Sequence, residues 1–399
     1  MIRDMMDLAI RELRLAGLLS FAPGSDPFRL ERLNVLIGPN GSGKSNLLEA
    51  LSLLSATPSD LASVVRRGGG AEAWLWKGQP AAKAAEIEAV LGNGTPWGHP
   101  LRYRLSFSHA RNRLELVDEA IEELEPTAGH DDVFFFYRFQ GGSPAINVRT
   151  ENGEGSKRYL QRESLLSDQS VLAQRKDPDL YPEVTKTGQT FGAFRTFRSW
   201  TFGRHTPLRQ PQPADLPEDQ LLPDSSNLAL VLNQIEHAGD ARVNDLLKRF
   251  FPRFRRLSTR VSGGTVQFYL HEADFDTPIP ATRLSDGTLR FVALLAALYS
   301  ASPPPLLCIE EPELGLHPDS VALLADVLAE ASQRTQLIVT THSDALVSAL
   351  SGQPDAVVAC ERPGAGTELH RLDPEKLAIW LDDYLLGDLW RMGELGANP

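Results

Sequence analysis

Gly38-Pro39-Asn40-Gly41-Ser42-Gly43-Lys44-Ser45 narrows what this chain can fold into more than any other stretch. It fits the spacing G-x-x-x-x-G-K-[ST] of a phosphate-binding loop with no mismatch. Before it, Leu33-Asn34-Val35-Leu36-Ile37 is a short apolar run that reads as a buried strand. After it, Leu47, Leu48, Ala50, Leu51 and Leu54 recur at helical spacing, as on a helix with one buried face. In that setting the glycines admit backbone conformations that a side chain forbids, and their N–H groups can close around phosphate. The N-terminus of the following helix adds partial positive charge. On this reading Lys44 reaches the β- and γ-phosphates of a nucleotide and the Ser45 hydroxyl ligates Mg²⁺. Asn40, Gly41, Ser42, Gly43 and Asn46 complete the phosphate cradle. The plainer alternative, a glycine-rich turn that binds nothing, leaves both the full pattern and its context unexplained.

The 399 residues allow two domains, or one domain with insertions. Residues 9–20 partly alternate and read as a strand, and Phe28–Ile37 as a second strand leading into the loop. The first helix ends near Thr57-Pro58, and a second covers Asp60–Arg67. From about 100 to 163 the period changes to two: Leu101–Phe107, Arg113–Val117, Val133–Phe139 and Ala145–Arg149 read as an inserted antiparallel sheet. Residues 164–240 are mixed, broken into short pieces by prolines from Pro178 to Pro223. Helices follow at Asn227–His237, with Asp224, Ser225 or Ser226 as N-cap, and at Ala241–Phe251. Beyond residue 260, strands (265–270, 306–309, 336–340, 356–360, 368–372) alternate with helices (288–299, 321–331, 344–350), the pattern of an α/β lobe with a parallel sheet. Expected segments are therefore 1–163, 164–260 and 261–399. Cys308 and Cys360 both sit in apolar runs and read as core residues. The first ten residues lack a signal-peptide core, and no apolar run is long enough to span a bilayer. The expected setting is the cytoplasm, with no membrane partner.

Three later stretches add chemistry. Leu306-Leu307-Cys308-Ile309-Glu310-Glu311-Pro312-Glu313 is an apolar strand ending in carboxylates. Beside a phosphate loop, the first acid, Glu310, suits Mg²⁺ and the second, Glu311, suits activation of a water. Aspartate is usual at the first position. Val339-Thr340-Thr341-His342-Ser343 ends the next strand and puts His342 where it could contact the γ-phosphate. Leu284-Ser285-Asp286-Gly287-Thr288 starts an apolar helix; a serine, a glycine and a helix N-terminus make a second anion-binding surface, or simply a helix cap.

Taken in this order, these stretches resemble the ABC-type ATPases, most closely their RecF- and SMC-like branch. Gly38–Ser45 is similar to Walker A, Leu284–Thr288 to the signature motif, Leu306–Glu311 to Walker B and His342 to the switch histidine. Glu310-Glu311-Pro312-Glu313-Leu314-Gly315-Leu316-His317-Pro318 resembles a bacterial group of predicted ATPases with OLD-type ATPase domains. The C-terminal run Tyr384–Gly393 is similar to the tail of that group. The resemblance implies an α/β P-loop NTPase of ABC-ATPase type, its parallel or mixed core sheet carrying an inserted antiparallel sheet and a helical subdomain. It also implies two ATP with Mg²⁺ sandwiched in a head-to-tail homodimer, with Ser285 and Gly287 meeting the partner's γ-phosphate, and an ATP-gated clamp. Asp286 stands where the signature usually has glycine. No heptad pattern supports a long coiled-coil arm in the roughly 240 residues between Ser45 and Leu284, and only 57 residues follow His342, too few for an OLD-type nuclease domain. A nuclease or other effector would then be a separately encoded protein. Gln140 and Gln161 are the candidates for the Q-loop.

The cargo is open. Net charge is −12, so nucleic acid would need a local basic patch. Two acid-free stretches offer one. Phe191–Arg209 includes Arg195 and Arg198 among aromatics, and Lys248–Arg260 includes Arg253, Arg255 and Arg256. Each could equally be a packed aromatic face with a solvated basic one. Three functions remain: a dimeric ATPase of DNA repair or anti-phage defence acting on DNA or RNA, a nucleotide-switched regulator of a separate effector, and, with the least support, a transporter subunit.

Overall fold

The computed structural model describes residues 8–92, 99–111, 113–126, 132–140, 143–149, 155–159, 165–198, 200–239, 241–364 and 366–397. It divides into two compact units. One holds the chain up to Phe194 together with Val358–Arg371; the other holds Arg195–Val357 and Leu372–Leu395.

In the first unit, β1 (Ile10–Ala16) buries Ile10, Leu13, Leu15 and Ala16. The single strand expected over 28–37 is two: β2 (Phe28–Arg29) pairs with β1, while β3 (Leu33–Ile37) belongs to another sheet. Asn34 makes the break. Its side chain accepts from Glu31 N–H at 2.9 Å and donates to the Glu31 carbonyl at 2.7 Å, closing a turn between the two strands. Helix α1 (Lys44–Ala56) buries eight residues and stops where Thr57 donates its hydroxyl to the Leu54 carbonyl. Asp60 caps α2 (Leu61–Arg67) by accepting from Ser63 N–H.

The antiparallel insertion is larger than the sequence indicates. Strands β4 (Ala85–Leu91), β5 (Leu101–Ala110), β6 (Arg113–Glu123), β7 (Phe135–Gln140), β8 (Ser143–Arg149) and β9 (Gly155–Tyr159) join β1 and β2 in one eight-stranded sheet, ordered β2-β1-β4-β5-β6-β7-β8-β9. On β5, Leu101, Tyr103, Leu105 and Phe107 are buried, and Arg102 and Arg104 lie between them. These arginines share Glu122 with Arg138, at 2.9, 3.6 and 3.0 Å, so one face is apolar and the other is laced by ion pairs. Helix α3 (Pro182–Gly192) follows, with Phe191 edge-on to Tyr103.

The second unit begins with β10 (Arg195–Phe197) and β11 (Gln212–Pro213), then α4 (Leu228–His237) and α5 (Ala241–Phe250). The cap expected for α4 is not used. Asn227 occupies the N-cap position, but its side chain serves Leu222 N–H and the Pro217 and Gln220 carbonyls, while Gln212 Oε1 accepts from Ala229 N–H at 2.7 Å. Strands β12 (Phe254–Ser262), β13 (Thr265–Glu272) and β14 (Ile279–Pro280) form a small antiparallel sheet with β11. Helix α6 (Asp286–Leu298) stacks Phe291 on Phe250 at 4.1 Å. Strand β15 (Leu306–Glu310), buried from Leu306 through Ile309, runs parallel to β10 and to β16 (Gln336–Thr340), with α7 (Val321–Ala331) between β15 and β16 and α8 (Asp344–Ala349) after them.

The chain returns to the first unit with β17 (Val357–Glu361) beside β3, and β18 (Glu368–Arg371) antiparallel to β17. It closes in the second with α9 (Pro374–Leu381) and α10 (Leu386–Met392). Burial pushes both cysteine thiols up to about 12, so they are inert core residues. Among the described residues no helix is long and apolar enough to cross a membrane.

One buried acid makes the first unit pH-sensitive. Glu119 accepts from Tyr103 OH at 2.8 Å, from Ser170 Oγ and from Val171 N–H at 2.9 Å, yet burial still raises its pKa from 4.5 to about 7. An acid whose pKa is higher folded than unfolded binds its proton more tightly in the folded state, so it loses stability as pH rises between the two values and nothing further above. At ~1.4 kcal/mol per pH unit, that window is on the order of 3 kcal/mol. Denaturant unfolding at pH 4.5 to 8 should show wild type losing stability relative to Glu119→Gln, which keeps the shape without the ionisation. Parallel curves for the two proteins would refute a neutral Glu119.

Candidate functional site

In the first unit the loop Gly38–Ser45 joins β3 to α1, as its spacing requires. Gly43 sits at φ 110 as the N-cap of α1, and an added Cβ there would lie 2.2 Å from Thr367 Oγ1 and 2.8 Å from Ser20 Oγ. No side chain fits that position. Thr367 explains the crowding: its hydroxyl donates to the Ser42 carbonyl at 2.7 Å, while Ser20 Oγ also lies 2.7 Å away and Ser20 O accepts from Thr367 N–H. The chain that follows β17 therefore braces the loop from behind, a role for Thr367 that no local pattern around it indicates. Lys44 is buried and donates to the Gly38 and Pro39 carbonyls at 2.6 and 3.1 Å. Ser42 Oγ is buried without a hydrogen-bond partner. Asn40, Gly41 and Ser45 are exposed, and Asn46 is half-buried. A curled backbone, a folded-back ammonium and an orphan hydroxyl suit a bound triphosphate, whose oxygens would supply the missing acceptors.

The second unit carries the acids. Glu310 ends β15, and its Oε2 lies 3.3 Å from Nε of Arg198. Glu311 follows at φ 46, rare for a residue with a side chain. Its N–H donates to the Thr340 carbonyl at 3.0 Å, and its carbonyl accepts from Arg290 Nη1 at 3.1 Å. That twist leaves Oε1 of Glu311 3.6 Å from Nε2 of His342. Glu313 completes the group. Its Oε1 accepts from Thr341 Oγ1 at 2.5 Å and from His342 N–H at 3.2 Å, its Oε2 is buried with no hydrogen bond, and burial raises its pKa. Glu311 and His342, 31 positions apart, are thus brought together, and Glu313, which sequence reading left without a role, holds the histidine loop in place.

The turn that precedes α6 is held just as firmly. Ser285 is exposed and caps α6, accepting from Thr288 N–H at 3.1 Å. An added Cβ on Gly287 would sit 2.8 Å from the Gly315 carbonyl oxygen, so this turn lies against the loop that follows the acids. Beneath it Arg209 is 6% exposed and donates to the carbonyls of Phe202 (2.9 Å), Ala281 (3.3 Å) and Leu284 (2.6 Å) and to the Asp286 carboxylate. Asp286, which departs from the usual glycine, has an internal partner.

The two basic stretches differ in what they leave available. Phe191, Phe194, Phe197 and Phe202 are buried, so these rings are closed to base stacking. Arg195 is half-buried on β10, Arg198 faces Glu310, and Arg209 is enclosed. Arg255, Arg256 and Arg260 on β12, and Arg253 just before it, are exposed; Arg253 reaches Asp274 at 3.6 Å and Arg260 lies over Tyr269. Gln140 ends β7 in the antiparallel sheet, and Gln161 lies outside the described residues. No group of three or more His, Cys, Asp or Glu able to hold a metal occurs among the described residues.

Comparison with known proteins bears on the family and the fold. The family described as "AAA domain, putative AbiEii toxin, Type IV TA system" matches residues 33–348. The chromosome partition protein Smc of Cereibacter sphaeroides (strain ATCC 17029 / ATH 2.4.9) is 42% identical over 84 residues, which is 20% of this chain but only 7% of that much longer protein. Among solved structures, the Smc head bound to the C-winged helix domain of ScpA has a TM-score of 0.58 at 16% identity, covering 93% of this chain and 99% of that one. The Smc head with an extended coiled coil, bound to the C-terminal domain of ScpA from Pyrococcus furiosus, has 0.56 at 15%, covering 94% and 98%. At such identities these structures establish the fold.

Arg209 has a measurable role. Arg209→Met should cost about 3 kcal/mol in denaturant unfolding, because it strips three carbonyls of their donor. Asp286→Ala removes only an ion pair with a mostly exposed carboxylate and should cost under about 1 kcal/mol. Equal losses would mean that the carbonyl bonds contribute nothing.

Proposed function

This chain belongs to the AAA-domain family that matches it, as an ABC-type ATPase of the RecF/SMC-like branch, and on that basis we propose that it binds and hydrolyses ATP in a head-to-tail homodimer whose closure ATP drives. The observation that carries the reading is Glu311, held at positive φ from both sides with its carboxylate beside His342. Backbone strain of this kind persists where the surroundings enforce it, and it clusters at working sites.

In this reading the N–H groups of residues 41–46 and the Lys44 ammonium hold the β- and γ-phosphates. Mg²⁺, when bound, would supply positive charge against the phosphates, with Ser45 and Glu310 as its proposed ligands. Glu311 takes the proton of the attacking water. His342 donates to the γ-phosphate oxygens and so reports whether that group is present. Glu313 keeps the histidine loop against Glu311. Ser285 and Gly287 belong to an exposed N-terminus of a thirteen-residue helix, a surface suited to the γ-phosphate on a second copy. One loop and one such turn per chain imply two ATP per pair of chains.

The biological work we propose is nucleic-acid-directed, in DNA repair or anti-phage defence. The support is twofold: the exposed arginines of β12, and a family description that names a toxin system. Neutralised phosphates release counterions, so such binding falls steeply with salt.

The mass in solution of Glu311→Gln, with and without ATP·Mg²⁺, tests the catalytic and dimer reading. Turnover should fall by about 10²–10⁴. The trapped protein should shift from monomer to dimer only with ATP, and Ser285→Arg should abolish the shift. Lys44→Ala should not bind ATP. A Lys44→Ala protein with wild-type affinity would sink the site; an unchanged monomer that still binds ATP would sink the homodimer alone.

A separate titration addresses nucleic acid. Replacing Arg253, Arg255 and Arg256 together by Ala should weaken duplex DNA binding and flatten its salt dependence by about three ion equivalents. Wild-type protein that binds no DNA at low salt would refute this part.

A further inference from the structure

Helix α9 is anomalous. None of its eight residues is buried, although Leu377-Ala378-Ile379-Trp380-Leu381 is an apolar run. Ile379 is 83% exposed and Trp380 44%; just beyond the helix, Tyr384 is 42% and Leu385 52% exposed. The Trp380 and Tyr384 rings lie 6.4 Å apart, so the ridge is continuous. A two-turn helix in water does not hold on propensity alone, because helices shorter than about 12–15 residues are marginal without a packed face. Caps supply part of the support: Asp373 accepts from Glu375 N–H and pairs with Lys376 at 3.3 Å. The rest comes from the anchored segment behind it. Helix α10 buries Leu386, Leu389 and Trp390, Leu386 N–H donates to Ser351 Oγ at 2.9 Å, and Arg391 pairs with Asp344 at 2.9 Å. An exposed apolar ridge is therefore carried on a fixed base.

We propose that this ridge, Ile379–Leu385, is the docking element for a separately encoded protein, and that it inserts into an apolar groove of that partner edged by lysine or arginine. Three observations point there. A convex helical ridge with adjacent Trp and Tyr is the shape and composition of a hot spot that fills a groove. Such a contiguous patch is unlike the scattered apolar residues of an ordinary surface. Asp382 and Asp383 stand exposed within the ridge, and neither carboxylate forms an ion pair with the described residues. Complementary charge then calls for a basic rim.

A second copy of this chain is a poor occupant. Its cavity of about 480 Å³, walled by Leu13, Leu15, Phe28 and Leu369, is bordered by Asp26 and Glu368. Its cavity of about 410 Å³ beside Tyr137 and Phe139 carries Glu115. Either would set carboxylate charge against Asp382 and Asp383.

The proposal rests on the surface and not on the ATP chemistry, so its test runs separately. A photo-crosslinking phenylalanine analogue is placed at Trp380, and at the exposed Phe275 as control, in the full chain expressed in its own cells. The cross-linked protein is identified by mass spectrometry, purified and titrated against wild type, Ile379→Asp and the pair Asp382→Lys with Asp383→Lys. We expect one partner captured from position 380 and not from 275. Its affinity should fall at least tenfold for each variant, with ATP binding by each variant unchanged. Capture of a second copy of this chain, no capture, or a partner indifferent to both variants would overturn the proposal.

Discussion

The bond from Glu311 N–H to the Thr340 carbonyl is the one on which the chemistry of the second unit depends. Strands β15 and β16 run parallel with Glu310 opposite Thr340, and this bond continues their pairing one residue past the strand end. Only then does the chain turn. Glu311 takes φ 46 there, which costs a residue with a side chain about 1 kcal/mol or more, and Arg290 holds its carbonyl from the other side. Glu313 then reaches back to Thr341 and His342 N–H. Two loops that leave neighbouring strands are tied at three places, so the acid and the histidine move as one body. Without the backbone bond, Glu311 would relax into an ordinary turn and its carboxylate would lose its fixed distance from His342.

What could be read from the sequence was local. The phosphate loop, its flanking strand and helix, and the strand that ends in Glu310 all declare themselves within about ten residues, because glycine requirements, helical period and a buried run are short-range properties. The misses lie in side-chain partners that a hydrophobic pattern does not display. The split between β2 and β3 turns on Asn34 bonding to its own chain in place of the ladder, and an apolar run does not reveal that. The cap of α4 fails because Gln212, 17 residues upstream, serves Ala229 N–H. Arg209 reads as a surface cation beside aromatics, yet its acceptors at 281, 284 and 286 lie more than 70 residues on. One miss was legible: Ala85–Leu91 alternates Ala, Glu, Ile, Glu, Ala with period two and is simply a strand.

The arrangement of charge explains why composition alone misleads. The chain carries 40 Lys and Arg against 52 Asp and Glu, which suggests a surface hostile to nucleic acid. The arginines are not equivalent, however. Arg102, Arg104 and Arg138 neutralise Glu122 inside the antiparallel sheet, Arg209 serves three carbonyls, and Arg198 meets Glu310. Such residues satisfy internal acceptors and contribute little field outside. What reaches solvent is uneven: β12 presents arginines on one strand, and the ridge that continues past α9 presents Asp382 and Asp383, without an ion pair among the described residues, beside aromatics. An acidic protein with one basic strand and one acidic apolar ridge can sort two partners of opposite charge onto two different surfaces. Under the proposed nucleic-acid function, the net charge of −12 would disfavour unspecific polyanions and leave short-range contacts on β12 to decide which one is held.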